Sequence, residues 1–250
     1  MSPRMLQLLL GATLLLAWEL APQLGLVPKV ILAPLSETLT VPFRSFDIYA
    51  SALAVTASQI VAALMIAYIG GGVVGIVVGA FRPLRQAVLP LISSVYAIPF
   101  VVVYPIMTAW LGIGTASKIW FGGLYGFFPM ALASAAGIQT VDSRYILAAR
   151  AMGASKFQLL TQVYVPAALP AIVSGLRIGG ALVTIGVVVA EMMAATNGIG
   201  FLITQSRTMF RTPDVYFGII LVLLIAWSLD FAIRQVERRF AHSGAPARRP

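Results

Sequence analysis

Few side chains in this 250-residue sequence could perform chemistry. There is no cysteine and a single histidine, His242, so disulfides, thiol chemistry and histidine-based metal sites or nucleophilic triads are excluded. The sequence also lacks a G-x-x-x-x-G-K-[ST] loop, the backbone cradle that most ATP-binding chains use for phosphate. We therefore expect no catalytic residue, no metal and no cofactor in this chain.

Two charged residues, Arg177 and Glu191, interrupt an otherwise apolar run from Pro170 to Ser206. A charge inside a hydrophobic run is costly and usually faces a partner or water. Glu191 could form structural hydrogen bonds or bind substrate or a proton, and we favour the structural role. Rings of intramembrane charges and tandem acids are missing, which gives little support to proton-coupled transport or an ion-selective channel.

One polar segment, from Asp142 to Pro170, stands between the apolar runs. Asp142 can cap a helix, and Gly153 supplies a natural stop for it. Ser155 and Gln158 have the spacing of a capping box that starts a second helix. The prolines at positions 166 and 170 are expected to end that helix and open the next. The sequence thus predicts a hairpin of two helices with a glycine corner.

The composition is that of a membrane protein. Hydrophobic residues make up 60% of the chain, charged residues 10%, and the mean hydropathy is +0.94. Soluble domains carry about 25% charged residues. We predict an all-α membrane protein formed by a single domain over residues 1–250, with six transmembrane helices and the hairpin between spans four and five. The predicted spans are 5–21, 52–80, 87–111, 118–138, 168–195 and 215–233, with an external segment at 22–49 and the hairpin at 142–166.

The first predicted span also fits a cleavable secretory signal, because Arg4 precedes a short leucine-rich run. We favour a retained span, since further spans follow it.

The positions of lysine and arginine predict that both termini are cytoplasmic. This orientation places eleven basic residues inside and five outside. The inside residues are Arg4, Arg82, Arg85, Arg144, Arg150, Lys156, Arg234, Arg238, Arg239, Arg248 and Arg249; the outside residues are Lys29, Arg44, Lys118, Arg207 and Arg211. The net charge of +9 therefore reflects topology and attraction to anionic lipids, and we expect no nucleic-acid partner.

Two apolar runs carry patterned residues. Gly71, Gly75 and Gly79 recur every four residues, a spacing typical of close helix packing in lipid. The third run is broken by prolines and rich in aromatic residues, and such breaks occur where protein or a water-filled cavity satisfies the freed carbonyls. This run offers four candidates for lining a substrate pathway, which are Tyr96, Pro99, Phe100 and Tyr104. The alternative role for them is packing between helices. Glu191 is a fifth candidate for the pathway.

The segments LAARAMGAS and VYVPAALP resemble the cytoplasmic signature of permease subunits in ATP-binding-cassette importers. The matching residues are Ala148, Ala149, Gly153, Pro166, Leu169 and Pro170. Leu147 departs from the pattern, which usually has glutamate there. The third run resembles the nitrate, sulfonate and taurine branch of this family, through Ile98, Pro99, Pro105, Trp110, Gly112 and Gly114.

This resemblance implies a permease that moves a small organic or inorganic anion, such as a sulfonate, taurine or nitrate, across the inner membrane by alternating access. It implies as partners a second permease copy, two cassette ATPase subunits that bind the ATP, and an external substrate-binding protein. The residues expected to contact the ATPase are Ala148, Ala149, Arg150, Gly153, Ala154 and Ser155. The alternatives are a membrane scaffold or sensor and a channel, whose hairpin would dock another protein.

Overall fold

The computed structural model describes residues 2–241. His242, Arg248 and Arg249 lie outside the described residues, as do the side chains of Arg4 and Arg239. The part of the chain that the structure describes is helical throughout, with short connections and no strand. Its α-helices are α1 Pro3–Gln23, α2 Leu35–Arg44, α3 Phe46–Met65, α4 Gly72–Ala80, α5 Arg82–Tyr96, α6 Tyr104–Leu111, α7 Thr115–Gln139, α8 Ser143–Ala151, α9 Lys156–Leu159, α10 Val165–Met193, α11 Ile199–Thr208 and α12 Thr212–Ala241.

Five continuous helical stretches are long and apolar enough to cross a membrane. They are Met5–Gln23, Phe46–Ala80, Thr115–Gln139, Lys156–Met193 and Thr212–Gln235. A sixth span is possible if the bent pair Arg82–Tyr96 and Phe100–Leu111, which turns by 88°, counts as one. The predicted all-α fold with multiple apolar spans is confirmed.

The chain forms two compact units. The first contains the residues up to Ala57 together with Glu191–Leu224. Its core consists of Val41, Tyr49, Ala52, Ile199, Ile203 and Phe217. The Tyr49 hydroxyl donates a hydrogen bond to Asp214 Oδ1 over 3.2 Å, and this bond ties α3 to the start of α12.

The second unit contains Ser58–Ala190 and the residues from Ile225 onward. Here the second span packs closely against α7. A Cβ added to Gly71 would lie 2.6 Å from the backbone oxygen of Phe127, and one added to Gly79 would lie 2.9 Å from Cα of Ala135. The three regularly spaced glycines, called the glycine face below, thus allow the two backbones to touch.

Two segments of π-helix, Ile66–Gly71 and Leu160–Tyr164, interrupt the spans. The second corrects the expectation that Pro166 and Pro170 end one helix and open another, because the helix continues from Lys156 to Met193. A proline in a helix lacks its N–H and clashes with the preceding turn. The wider π turn lies directly before Pro166 and accommodates it without a break.

Candidate functional site

The hairpin begins with the cap predicted at Asp142. Its carboxylate accepts a hydrogen bond from the backbone N–H of Arg144 over 2.9 Å, which satisfies one of the free donors at the start of α8. The second helix of the hairpin begins with the predicted capping box. Ser155 Oγ accepts from the N–H of Gln158, and Gln158 Oε1 accepts from the N–H of Ser155. Local sequence rules therefore predicted both helix starts.

The corner of the hairpin is a Schellman motif. The N–H of Ala154 donates to the oxygen of Ala149 over 3.0 Å, and the N–H of Gly153 donates to the oxygen of Arg150 over 2.9 Å. Gly153 has φ +80°, a value that this corner requires and that glycine adopts without strain. A Cβ at this position would have no neighbour within 4 Å. The helix stop and glycine corner predicted at Gly153 are confirmed.

Large apolar side chains of the hairpin point away from the protein. Leu147 is 64% exposed and Met152 is 82% exposed, and Tyr145 and Phe157 are exposed as well. A groove of about 380 Å³ runs beside them, lined by Tyr145, Ala148, Ala149, Met152, Gln162, Val163, Pro166 and Ala167. Of the residues expected to contact the ATPase, only Ala149 is buried; Ala154 is half-buried, and the exposed ones are Ala148, Arg150, Gly153 and Ser155. The hairpin therefore presents an apolar, basic-edged surface.

The bent span brings two of the predicted pathway residues into one aromatic cluster. The ring of Phe100 stacks on Phe121 and on Tyr125, with centroids 5.3 Å apart in both pairs. Tyr104 meets Phe121 edge to face at 5.1 Å. Phe100 and Tyr104 are buried. Both side chains hold the bend against α7.

Tyr96 and Pro99 lie before the bend and are exposed. Tyr96 makes a looser contact with Phe128, with ring centroids 6.4 Å apart.

Glu191 belongs to the first unit and is only 1% exposed. Its Oε2 accepts from the N–H of Gly200 over 2.8 Å, and its Oε1 accepts from the hydroxyl of Thr56 over 2.8 Å. The same hydroxyl accepts from the N–H of Ile199 over 2.8 Å. Gly198 precedes α11 and has no side chain that could cap this helix. Thr56 and Glu191 therefore satisfy the first two N–H groups of α11. Glu191 thus makes structural hydrogen bonds of the kind that its sequence position favoured, and its role in a substrate pathway stays a prediction.

Sequence reasoning missed two buried polar residues near these elements. Thr56 was not recognised because its partner Glu191 is 135 residues away in the sequence. The only signal for it in the sequence is a weak one, a threonine within a charge-free run. Lys118 was predicted as an external basic residue at the start of span four, but its burial was not foreseen: it lies in the first turn of α7 and is 2% exposed.

Arg177 forms ion pairs with Asp230 at 3.3 Å and with Glu237 at 2.6 Å. Asp230 also pairs with Arg234, four residues later on the same helix, over 2.6 Å. All four side chains are partly or largely exposed, so these pairs connect α10 and α12 at their surface and do not form a binding site.

The features of this site, several apolar spans and a capped hairpin between two of them, are those of a transport permease. Residues 71–242 match the family model described as "Binding-protein-dependent transport system inner membrane component", and the chain belongs to this family.

Comparison with individual proteins shows which transport permeases this chain is similar to. The chain is 34% identical to the taurine transport system permease protein TauC of Escherichia coli (strain K12), over 91% of this chain and 86% of the relative. It is 29% identical to the putative aliphatic sulfonates transport permease protein SsuC of Bacillus subtilis (strain 168), over 93% of this chain and 85% of the relative. A structure of the inward-facing MetNI methionine transporter has the same fold, with a TM-score of 0.69 at 19% identity over 77% of this chain and 96% of that chain.

Proposed function

We propose that this inner-membrane permease subunit works by alternating access, driven by separate ATPase subunits that dock on the hairpin. The observation that carries the proposal is the exposure of large apolar side chains on a segment whose two helices begin with side-chain caps and whose corner is a Schellman motif. Such a rigid apolar surface is suited to fit a groove on a partner and to transmit its movement. The contact would comprise Ala148, Ala149, Arg150, Gly153, Ala154 and Ser155. ATP would be bound by the partner, since this chain has no phosphate-binding loop.

Leu147 fits this proposal without the family's glutamate. An exposed leucine on the hairpin adds apolar contact area where a carboxylate would form a polar contact. Two copies of the chain per transporter would supply two hairpins for a pair of ATPases, which is the simplest symmetric assembly.

The proposed substrate is a small anion of the organosulfonate class. The transport functions for which TauC and SsuC are named, of taurine and of aliphatic sulfonates, support this class, and both relatives match over most of their length. An external binding protein would deliver the substrate and carry most of the selectivity. The pathway would pass the exposed residues Tyr96 and Pro99, with Phe100 and Tyr104 packed behind them as support.

The coupling role is tested by Gly153→Val. Valine at a φ of +80° strains the corner by about 1 kcal/mol or more and adds a branched side chain to the docking surface. We expect the variant to insert into the membrane normally but to lose ATPase binding, or to keep it and lose substrate-stimulated hydrolysis, measured by co-purification and phosphate release. Gly153→Asn is the matched control, because asparagine tolerates positive φ. Wild-type transport by Gly153→Val with the ATPase bound would contradict the proposal.

The proposed orientation places the hairpin and both termini in the cytoplasm. Because the chain has no cysteine, single cysteines can be introduced without further changes. We expect a membrane-impermeant thiol reagent to label Ser143→Cys only from the cytoplasmic side and Ser45→Cys only from the external side. Ser143 is exposed and Ser45 is half-buried, so the reagent can reach both positions. External labelling of Ser143→Cys would rule out the orientation and, with it, ATPase docking on this hairpin.

A further inference from the structure

Gln59 is a buried amide without a partner in the protein. It lies on α3 in the second unit and is 0% exposed. Neither its Nε2 nor its Oε1 forms a hydrogen bond within residues 2–241. Two other buried polar side chains are satisfied: Thr184 donates to the oxygen of Gly180, and Ser117 donates to the oxygen of Gly114. Gln59, with both of its polar atoms unpaired, needs a physical reason.

A stabilising role does not explain this residue. A glutamine side chain has two N–H donors and a carbonyl acceptor, and burying them unpaired is unfavourable. The penalty persists at membrane depth because lipid offers no replacement partner. The adjacent core of Ile60, Ala63, Ala67, Val183 and Val187 is apolar, so a leucine or methionine at position 59 would pack as well or better. The amide is a cost to this conformation.

The position of Gln59 in the span is suited to contact a transported solute. It comes 13 residues after the start of the helix at Phe46, about 20 Å along its axis, within a hydrocarbon layer of about 30 Å. The π segment Ile66–Gly71 begins seven residues later, and such irregular turns are frequent beside functional sites.

We propose that Gln59 lines the substrate route, and that its amide N–H groups donate hydrogen bonds to the oxyanion headgroup of the substrate when the pathway opens. The inference rests on the proposed alternating access and organosulfonate substrate, and it assigns a residue that contacts that substrate. A neutral donor is suited to this depth, because it holds an anion without the cost of a buried cation and releases it readily.

Ser134 supplies the matched control. Its Oγ is also buried without a partner within the described residues, but it lies in the contact between the glycine face and α7. A Cβ added to Gly75 would lie 2.7 Å from Ser134 Cβ, so the helices leave no room for a solute there. Ser134 is thus a buried polar residue for which packing, and not a ligand, provides the explanation.

The first test measures taurine uptake by the whole transporter, with its ATPase and binding protein. We expect Gln59→Leu to be at least as thermally stable as the wild type, while the KM for uptake rises by between about 10-fold and 100-fold, the loss of a hydrogen bond to a charged group. Ser134→Ala should transport normally. Unchanged uptake kinetics in Gln59→Leu would overturn the inference. If the wild type moves no sulfonate, the substrate class is refuted instead, and the labelling below still decides about Gln59.

The second test measures accessibility and does not depend on substrate or on the stability of the leucine variant. Gln59→Cys is treated with the anionic reagent methanethiosulfonate ethylsulfonate in membranes that contain the complete transporter. We expect little labelling at rest, labelling during ATP turnover, and slower labelling with a cationic analogue of the reagent. Ser134→Cys should stay unlabelled throughout. Failure to label Gln59→Cys in any state, or equal labelling of the two variants, would show that Gln59 does not line the route.

Discussion

The glycine face and the hairpin use their apolar surface differently, because the first is packed within the chain and the second is exposed. The glycine face of the second span is covered by α7, so its contacts are complete within one chain. The hairpin instead turns Leu147, Met152 and Phe157 outward, although its own helix ends are capped. Both regions depend on glycine: Gly75 is required because a neighbouring backbone occupies the space, whereas Gly153 has open space and is required for its φ. We therefore expect substitutions in the first region to change stability and substitutions in the second to change coupling.

The largest effect is expected for Gly75→Leu. A side chain at this position would run into Ser134 and the backbone of α7, and overpacking of this kind costs about 3 kcal/mol. Thermal unfolding in detergent should show a clear loss of stability and a lower yield of folded protein. Gly11→Leu in α1 is the control, since a Cβ there has no neighbour within 4 Å. Equal stability of the two variants would remove the contrast between the regions.

An intermediate effect is expected for Gly198→Ala. Gly198 has φ +103°, and a Cβ there would lie 2.6 Å from Glu191 Oε2, so the substitution combines backbone strain with displacement of the helix cap. We expect a loss of about 2 kcal/mol. The control is Gly112→Ala, where φ is +77° but no atom lies within 4 Å of the added Cβ, and the loss should be about 1 kcal/mol. Identical losses in thermal unfolding would mean that the Glu191 cap contributes nothing.

The smallest change in stability is expected for Met152→Ser on the hairpin. The side chain is 82% exposed, and such surface substitutions usually change stability by less than about 0.5 kcal/mol. ATPase affinity should nevertheless fall by about tenfold, because an exposed apolar anchor of a docking surface is lost. Thermal unfolding and ATPase co-purification on the same preparation separate the two effects. A destabilised protein with normal ATPase binding would reverse the comparison.

Features governed by neighbours in sequence were predicted well. The caps at Asp142 and Ser155 and the conformation of Gly153 follow from a few adjacent residues, and the apolar spans follow from hydropathy. The predicted break at Pro166 was wrong because a π turn, which no simple sequence rule predicts, absorbs the proline.

Features that depend on distant contacts could not be predicted. Thr56 and Glu191 meet across 135 residues. Gln59 gave only the weak signal of an amide in a charge-free run, because the absence of a hydrogen-bond partner is visible only once the helices are packed.

The π segment Ile66–Gly71 also has a consequence for how the second span can vary. The backbone hydrogen bond of a π turn spans one more residue than that of an α turn. Deleting one residue there would restore regular α-helix and leave the helix after it facing nearly the same way, because the wide turn already accommodates the extra residue. A deletion in the regular helix between Gly72 and Gly75 would instead rotate Gly75 and Gly79 by about 100°, away from α7. Chain length is therefore fixed more tightly in Gly72–Ala80 than in the π segment, so single-residue deletions among functional relatives should fall in Ile66–Gly71.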